Sequence, residues 1–162
     1  WAAGTGINLW TGQVLFRGGR DIGQFNKVEE VQVAPAAMLV KKEVIKKIKG
    51  FDNKYFATYE DTDFCFRAKK AGFSTFYAPQ AVAYHDLSYN PTNEADRLLS
   101  RAYYVGRNRV LFMKNFGKNF LAFFMFIPAY IFYYFIMAIK HQRFRDGCRF
   151  ISGTIDGLLF KR

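Results

Sequence analysis

Apolar residues in this chain come first in short runs broken by glycine and last in one unbroken run, and the two regimes predict different elements. Through residue 30, Gly4, Gly6, Gly12, Gly18, Gly19 and Gly23 cut the chain into pieces, so turns and short strands are expected there. Residues 31–40 (VQVAPAAMLV) have the apolar density of a buried strand. Pro35 inside them predicts a bend or an edge position, because proline cannot donate to a ladder. Residues 41–49 put Val44, Ile45 and Ile48 on one face and lysines on the other, which predicts a short helix closed by Gly50. Residues 60–71 (EDTDFCFRAKKA) predict a second helix, with acids in its first turn, Lys69 and Lys70 in its last and Gly72 as a stop. Its apolar stripe is Phe64, Ala68 and Ala71. Short strands over residues 73–77 and 81–84 flank Ala78-Pro79, and His85 stands at the end of the second. Residues 93–114 read as one basic, aromatic helix bearing Arg97, Arg101, Tyr103, Tyr104, Arg107 and Arg109. No internal repeat is visible.

The unbroken run is residues 120–139, twenty positions without a charge. At about 1.5 Å per residue such a helix could cross a hydrocarbon layer of roughly 30 Å. Pro128 near its middle predicts a kink. Lys114 and Lys118 lie before it, and Lys140, Arg143 and Arg145 after it. With both ends basic, the positive-inside rule assigns no orientation. Tyr130, Tyr133 and Tyr134 lie deeper than an aromatic belt would in a spanning helix. A kinked helix lying in the membrane interface suits the symmetric flanks better than a span, and core packing is the remaining alternative.

Charge strengthens the membrane reading. The 162 residues hold 24 Lys+Arg against 13 Asp+Glu, a formal net charge of +11. From Lys114 onward there are eight basic and two acidic side chains, a net +6 around the apolar run. Composition excludes several classes: 51% hydrophobic and 19% aromatic residues do not make a disordered tail, and 13 Gly without a period with 4 Pro do not make collagen. Cys65 and Cys148 form neither a disulfide framework nor a C-x-x-C metal spacing, which favours a reducing environment. Trp1-Ala2-Ala3-Gly4 offers no basic n-region or apolar h-region, so no signal peptide is expected there and the chain reads as beginning within a domain.

Glu60, Asp61 and Asp63 carry the candidate chemistry. Acids in a first helical turn are each stabilising by about 0.3–1 kcal/mol, and Asp63 with Arg67 is an i, i+4 pair that braces the helix. Three acids within four positions also repel one another, which raises at least one pKa and readies it for proton transfer. A general base needs such a carboxylate beside its substrate hydroxyl. His85 could ligate a metal through a neutral imidazole, although a lone histidine is more often structural.

Residues 50–85 (GFDNKYFATYEDTDFCFRAKKAGFSTFYAPQAVAYH) resemble the C-terminal half of a family 2 glycosyltransferase catalytic domain. The likeness rests on a Gly-Phe-Asp turn, an aromatic-rich loop, Glu-Asp-x-Asp, then Arg and Gly, and a strand ending in Tyr-His. Arg17-Gly18-Gly19 and residues 33–40 resemble the segment before that turn in the rhamnosyltransferase-like branch. Tyr103-Tyr104-x-x-Arg107-Asn108 is similar to that branch's Tyr-Tyr-x-x-Arg-Asn, and residues 153–159 fit its membrane-associating tails. The resemblance implies an α/β fold: the C-terminal half of a GT-A-type mixed-sheet nucleotide-sugar transferase domain, residues 1–113, followed by a helical membrane-associating tail, residues 114–162.

By the same resemblance Asp61 matches the catalytic base for an inverting attack on the sugar anomeric carbon, and Glu60 matches its neighbour near the acceptor. His85 matches a position that can help hold Mg²⁺ or Mn²⁺ on the donor diphosphate. Arg107 and Asn108 are candidates for binding diphosphate or acceptor, their alternative being a structural helix face. Asp63 and Arg67 border the same site as substrate-binding candidates, with bracing of the helix as their alternative. The implied partners are a nucleotide-sugar donor, a glycan or lipid-linked acceptor and a membrane surface, at the cytoplasmic face of the cell membrane, in cell-surface polysaccharide synthesis.

The family's nucleotide-binding half, with its Asp-x-Asp, has no counterpart in residues 1–59, so the chain alone is expected to be inactive. A rival expectation is a non-catalytic membrane-anchoring module of the same shape, which would be indifferent to Asp61→Asn. Nucleic acid is not an expected partner, because no recognised motif accompanies the charge and the apolar run would stay unexplained.

Overall fold

Glycine does set the start of the chain. In the computed structural model, which describes residues 2–35, 37–83 and 94–161, strands β1 (Ala2–Ile7) and β2 (Val14–Gly18) pair antiparallel in a two-stranded ribbon. Gly4 has φ +107, and a Cβ there would lie 2.8 Å from Val31 Cγ1, so both conformation and space call for glycine. A second ribbon pairs β3 (Glu29–Val31) with β4 (Thr75–Tyr77). One further bridge joins Thr5 to Val33, each N–H donating to the other's carbonyl at 3.0 Å.

The chain divides into two units. The first holds residues 1–8, 13–53 and 60–87, and the second residues 9–12, 54–59 and 88–162. Besides the ribbons, the first unit contains α1 (Lys42–Ile48) and α2 (Glu60–Lys70). Lys49 takes a left-handed φ of 62° to end α1, and Gly50 follows at φ 78°. Val44 of α1 and Phe64 and Ala68 of α2 form a buried cluster, with Met38, Val40, Ile48 and Phe73 around it.

Four helices make up the second unit: α3 (Glu94–Ser100), α4 (Ala102–Phe116), α5 (Phe120–Lys140) and α6 (Phe144–Leu159). Its core is Leu99, Ala102, Val105, Tyr134, Ala138 and Phe150, with the rings of Tyr134 and Phe150 stacked at 4.0 Å. Glycine brings α4 and α6 close together. A Cβ on Gly153 would sit 2.0 Å from the Tyr103 carbonyl oxygen, and one on Gly157 2.7 Å from that of Arg107. Gly106 approaches α6 likewise, its Cβ position lying 2.5 Å from the Phe150 carbonyl oxygen. Small residues spaced this way let helix backbones meet. The Tyr103 hydroxyl donates to Asp156 Oδ2 at 2.7 Å across the same pair.

Three expectations change. Residues 31–40 are not one strand: only Val31 and the bridge at Val33 pair, and the described residues beyond Pro35 have no ladder partner. Residues 81–83 form no strand; the Ala81 N–H instead closes a turn on the Ala78 carbonyl at 3.1 Å. Residues 94–116 form two helices rather than one. Arg101 breaks them at φ −106, ψ 11, just after the Ser100 hydroxyl turns back to the Arg97 carbonyl at 2.9 Å. The apolar run is helical as expected, capped by the Asn119 side chain, which accepts from the Ala122 N–H at 3.0 Å.

Candidate active site

In the first unit, α2 uses its three acids unequally. Asp63 is 1% exposed and accepts from Arg67 Nε at 2.6 Å, while Arg67 Nη1 donates to the Ile48 carbonyl at 2.8 Å. This pair ties the first turn of α2 to the end of α1 and relieves the repulsion expected within the trio. Asp61 is half-buried. Its Oδ1 accepts from the Thr62 N–H at 2.6 Å and the Thr62 hydroxyl at 3.2 Å, and its Oδ2 has no hydrogen bond among the described residues. Glu60 Oε2 is buried without a partner among them. Burial pushes the Cys65 thiol up, which suits a packing residue rather than a nucleophile.

In the second unit, residues 54–59 are held by α4. Asn108 is fully buried, and its amide nitrogen donates to the carbonyls of Phe56 (3.1 Å) and Thr58 (2.8 Å) and to the Thr58 hydroxyl (3.2 Å). Its Oδ1 accepts from Arg107 Nη1 at 3.0 Å, and that same nitrogen donates to the Lys54 carbonyl at 2.8 Å. Asn108 therefore has no donor left over. Arg109 Nε donates to the Tyr59 hydroxyl at 3.3 Å, and Asn115 donates to that of Tyr55 at 3.3 Å. The ring of Phe56 meets Tyr104 edge-on at 5.0 Å. Two residues of the clamped loop, Ala57 (φ 63) and Tyr59 (φ 68), sit in the left-handed region. That conformation costs roughly 1–2 kcal/mol per non-glycine residue, which the surrounding bonds offset. Glu60 follows Tyr59 directly in sequence.

Sequence reasoning missed this clamp. The available signal was Asn108 itself, a polar residue between Val105 and the run Val110-Leu111-Phe112, where a buried amide must find partners. His85 lies outside the described residues. Among the described residues no three of His, Cys, Asp and Glu converge where they could hold a metal, and Asp63 is already committed to Arg67. They do not by themselves constitute a metal site.

The model of the glycosyltransferase like family 2 matches residues 21–104, just over half of the chain. Rhamnosyltransferase WbbL of Escherichia coli (strain K12) is 31% identical over 90 residues, which cover 52% of this chain and 34% of that protein. The chain thus spans about a third of the length of this curated relative. No solved structure matches it. The matched span contains the Glu-Asp-x-Asp turn of α2 and reaches the Tyr103-Tyr104 pair that opens α4, and by that match the chain belongs to the glycosyltransferase like family 2.

Proposed function

We propose that the chain is the acceptor-side part of an inverting glycosyltransferase that moves a sugar from a nucleotide-sugar donor to a glycan or lipid-linked acceptor at the cytoplasmic face of the cell membrane, in cell-surface polysaccharide synthesis. Asp61 is the general base: its carboxylate takes the acceptor hydroxyl proton, the freed oxygen attacks the anomeric carbon, and the nucleoside diphosphate leaves with its bonding electrons. Glu60 supports Asp61 near the acceptor.

One observation carries this reading. Asp63 is sequestered by Arg67, whereas Asp61 keeps Oδ2 without a hydrogen bond among the described residues. Asp63 and Arg67 border the site by bracing α2, and Asn108 acts through the backbone of residues 54–59. Arg107 has one nitrogen committed to that loop, and its remaining N–H groups are the candidates for diphosphate or acceptor.

A GT-A-type domain that continues beyond these residues is part of the same proposal. Two-stranded ribbons, with Val14, Leu15 and Phe16 exposed on β2, support it, since such apolar edges suit a larger sheet. The proposed requirement for Mg²⁺ or Mn²⁺, with His85 as a ligand, rests on the family likeness.

The test joins this chain to a nucleotide-binding half and measures sugar transfer with and without Mn²⁺, comparing the unsubstituted protein with Asp61→Asn. A general base contributes about 10²–10⁴-fold, so Asp61→Asn is expected to lose that much turnover with the fold retained. Unchanged turnover would remove Asp61 from the mechanism. A folded, vesicle-binding protein with no activity in either form would favour the anchoring module, to which the exposed apolar half of α5 lends its own support.

A further inference from the structure

α5 is apolar on both sides. One stripe, Phe123, Ile127, Tyr134 and Ala138, is buried within the second unit, with Tyr130, Ile131 and Met137 partly covered beside it. The opposite half exposes Leu121, Phe124, Met125, Phe126, Phe132, Tyr133, Ile136 and Ile139, each between 43% and 75%. A helix lying on protein and facing water would carry polar residues there. Over residues 120–139, about 30 Å at 1.5 Å per residue, this face has the Tyr133 hydroxyl as its only side-chain polar group before the exposed Lys140 closes the helix.

Behind the face, the middle of α5 is polar. The Arg109 guanidinium lies over the Tyr130 ring at 4.0 Å, and the Tyr130 hydroxyl donates to the Thr11 carbonyl at 3.1 Å. Arg109 makes no salt bridge among the described residues, and its Nη1 has no hydrogen-bond partner among them. If α5 crossed a bilayer, its midpoint would carry this cation to the hydrocarbon centre, where charge is costly. Lying flat, α5 keeps Arg109 on the water side.

The two ends supply the complementary charge. Lys118 precedes α5 with its ammonium 5.9 Å from the ring of the half-exposed Trp10. Lys140 and Arg145 are exposed at the other end, where the exposed Phe144 packs edge-on against Phe135 at 5.2 Å. Aromatic and basic residues paired in this way favour the headgroup level of an anionic membrane.

We infer that the exposed half of α5 is a monotopic docking face for an anionic bilayer, entered sideways along its whole length, with Trp10–Lys118 and Lys140–Phe144–Arg145 as its two headgroup anchors. This deepens the membrane-surface partner of the function proposed above, and it stands or falls separately from the chemistry at Asp61.

The test puts single nitroxide labels at Leu121→Cys, Met125→Cys, Phe132→Cys and Ile139→Cys, four positions within one exposed stripe, in a Cys148→Ser background. Depth is read by electron paramagnetic resonance on vesicles of phosphatidylcholine with about 30% phosphatidylglycerol. The expected result is nearly equal depth for all four, about 5–10 Å below the headgroups. Depth peaking at Phe132 and falling toward both ends would mean a span and would overturn the inference. Labels left in water, or quenched only by a second copy of the chain, would overturn it as well. In parallel, Phe132→Glu with Ile136→Glu should lower vesicle partitioning about tenfold or more while circular dichroism stays unchanged. Undiminished partitioning of that folded variant would place the docking surface elsewhere. None of these readouts uses sugar transfer, so an inactive enzyme leaves them intact.

Discussion

Asn108 links the motif read from sequence to the structure it serves. It was legible as part of Tyr-Tyr-x-x-Arg-Asn and as a candidate for touching substrate, but its partners lie some fifty positions earlier in the chain, and no local pattern encodes such a contact. Its amide satisfies two carbonyls of a loop whose Ala57 and Tyr59 have left-handed backbones. Asn108→Ala strands those acceptors and is expected to cost about 1–3 kcal/mol, measured by urea denaturation. Asn108→Asp should cost more, since it aims a carboxylate at the same two carbonyls. Limited proteolysis should then cut first within residues 54–59 in both variants. Asp63 and Arg67 were fully legible, because an i, i+4 ion pair is written within one helix. The burial of Glu60 Oε2 without a partner among the described residues was not, because burial of a single atom depends on packing that spacing does not contain.

At the scale of elements, helices with a clear period were read to within a residue or two. α1, α2 and α5 end close to where their charge, glycine and apolar signals put them. Strands fared worse. β3 and β4 have three residues each and exist through pairing with one another, so the apolar run after Val31 misled by having density without a partner. The role of Gly153 and Gly157 was also hidden: both stood in a recognisable tail, yet their spacing reveals a helix contact only once α4 is opposite. Gly153→Val would drive a branched side chain into the Tyr103 carbonyl. The expected outcome is loss of the cooperative thermal transition of the helical unit, read by circular dichroism, with Ser152→Ala on the exposed side of α6 as an unaffected control. The Tyr103–Asp156 bond across the same pair holds the Tyr103 pKa above the ordinary tyrosine value, chiefly because the hydrogen bond requires the protonated hydroxyl. Its contribution is complete below the unfolded pKa and is lost as pH rises through the higher folded one, in the alkaline range.

For the whole molecule, the net charge of +11 and the apolar half of α5 predict a particular salt response. Raising NaCl from 0.1 to 1 M shortens the screening length from about 10 Å to about 3 Å, so vesicle binding should weaken several-fold. It should not vanish, because burial of the α5 face is not screened; cosedimentation checks both statements. The family resemblance made the mixed α/β class legible, and the basic apolar tail was legible from composition alone. It could not reveal that residues 9–12 and 54–59 belong with the helices after residue 88, since membership in a unit is a long-range property. That membership bears on the order of synthesis. The loop ahead of Glu60 leaves the ribosome some fifty residues before Asn108, so it cannot take its clamped form until α4 has been made. A message truncated before α4 would therefore yield a protein bearing every acidic residue of α2 with the loop ahead of them unheld, which makes completion of the chain a condition for assembling the segment that leads into the Glu60–Asp61 pair.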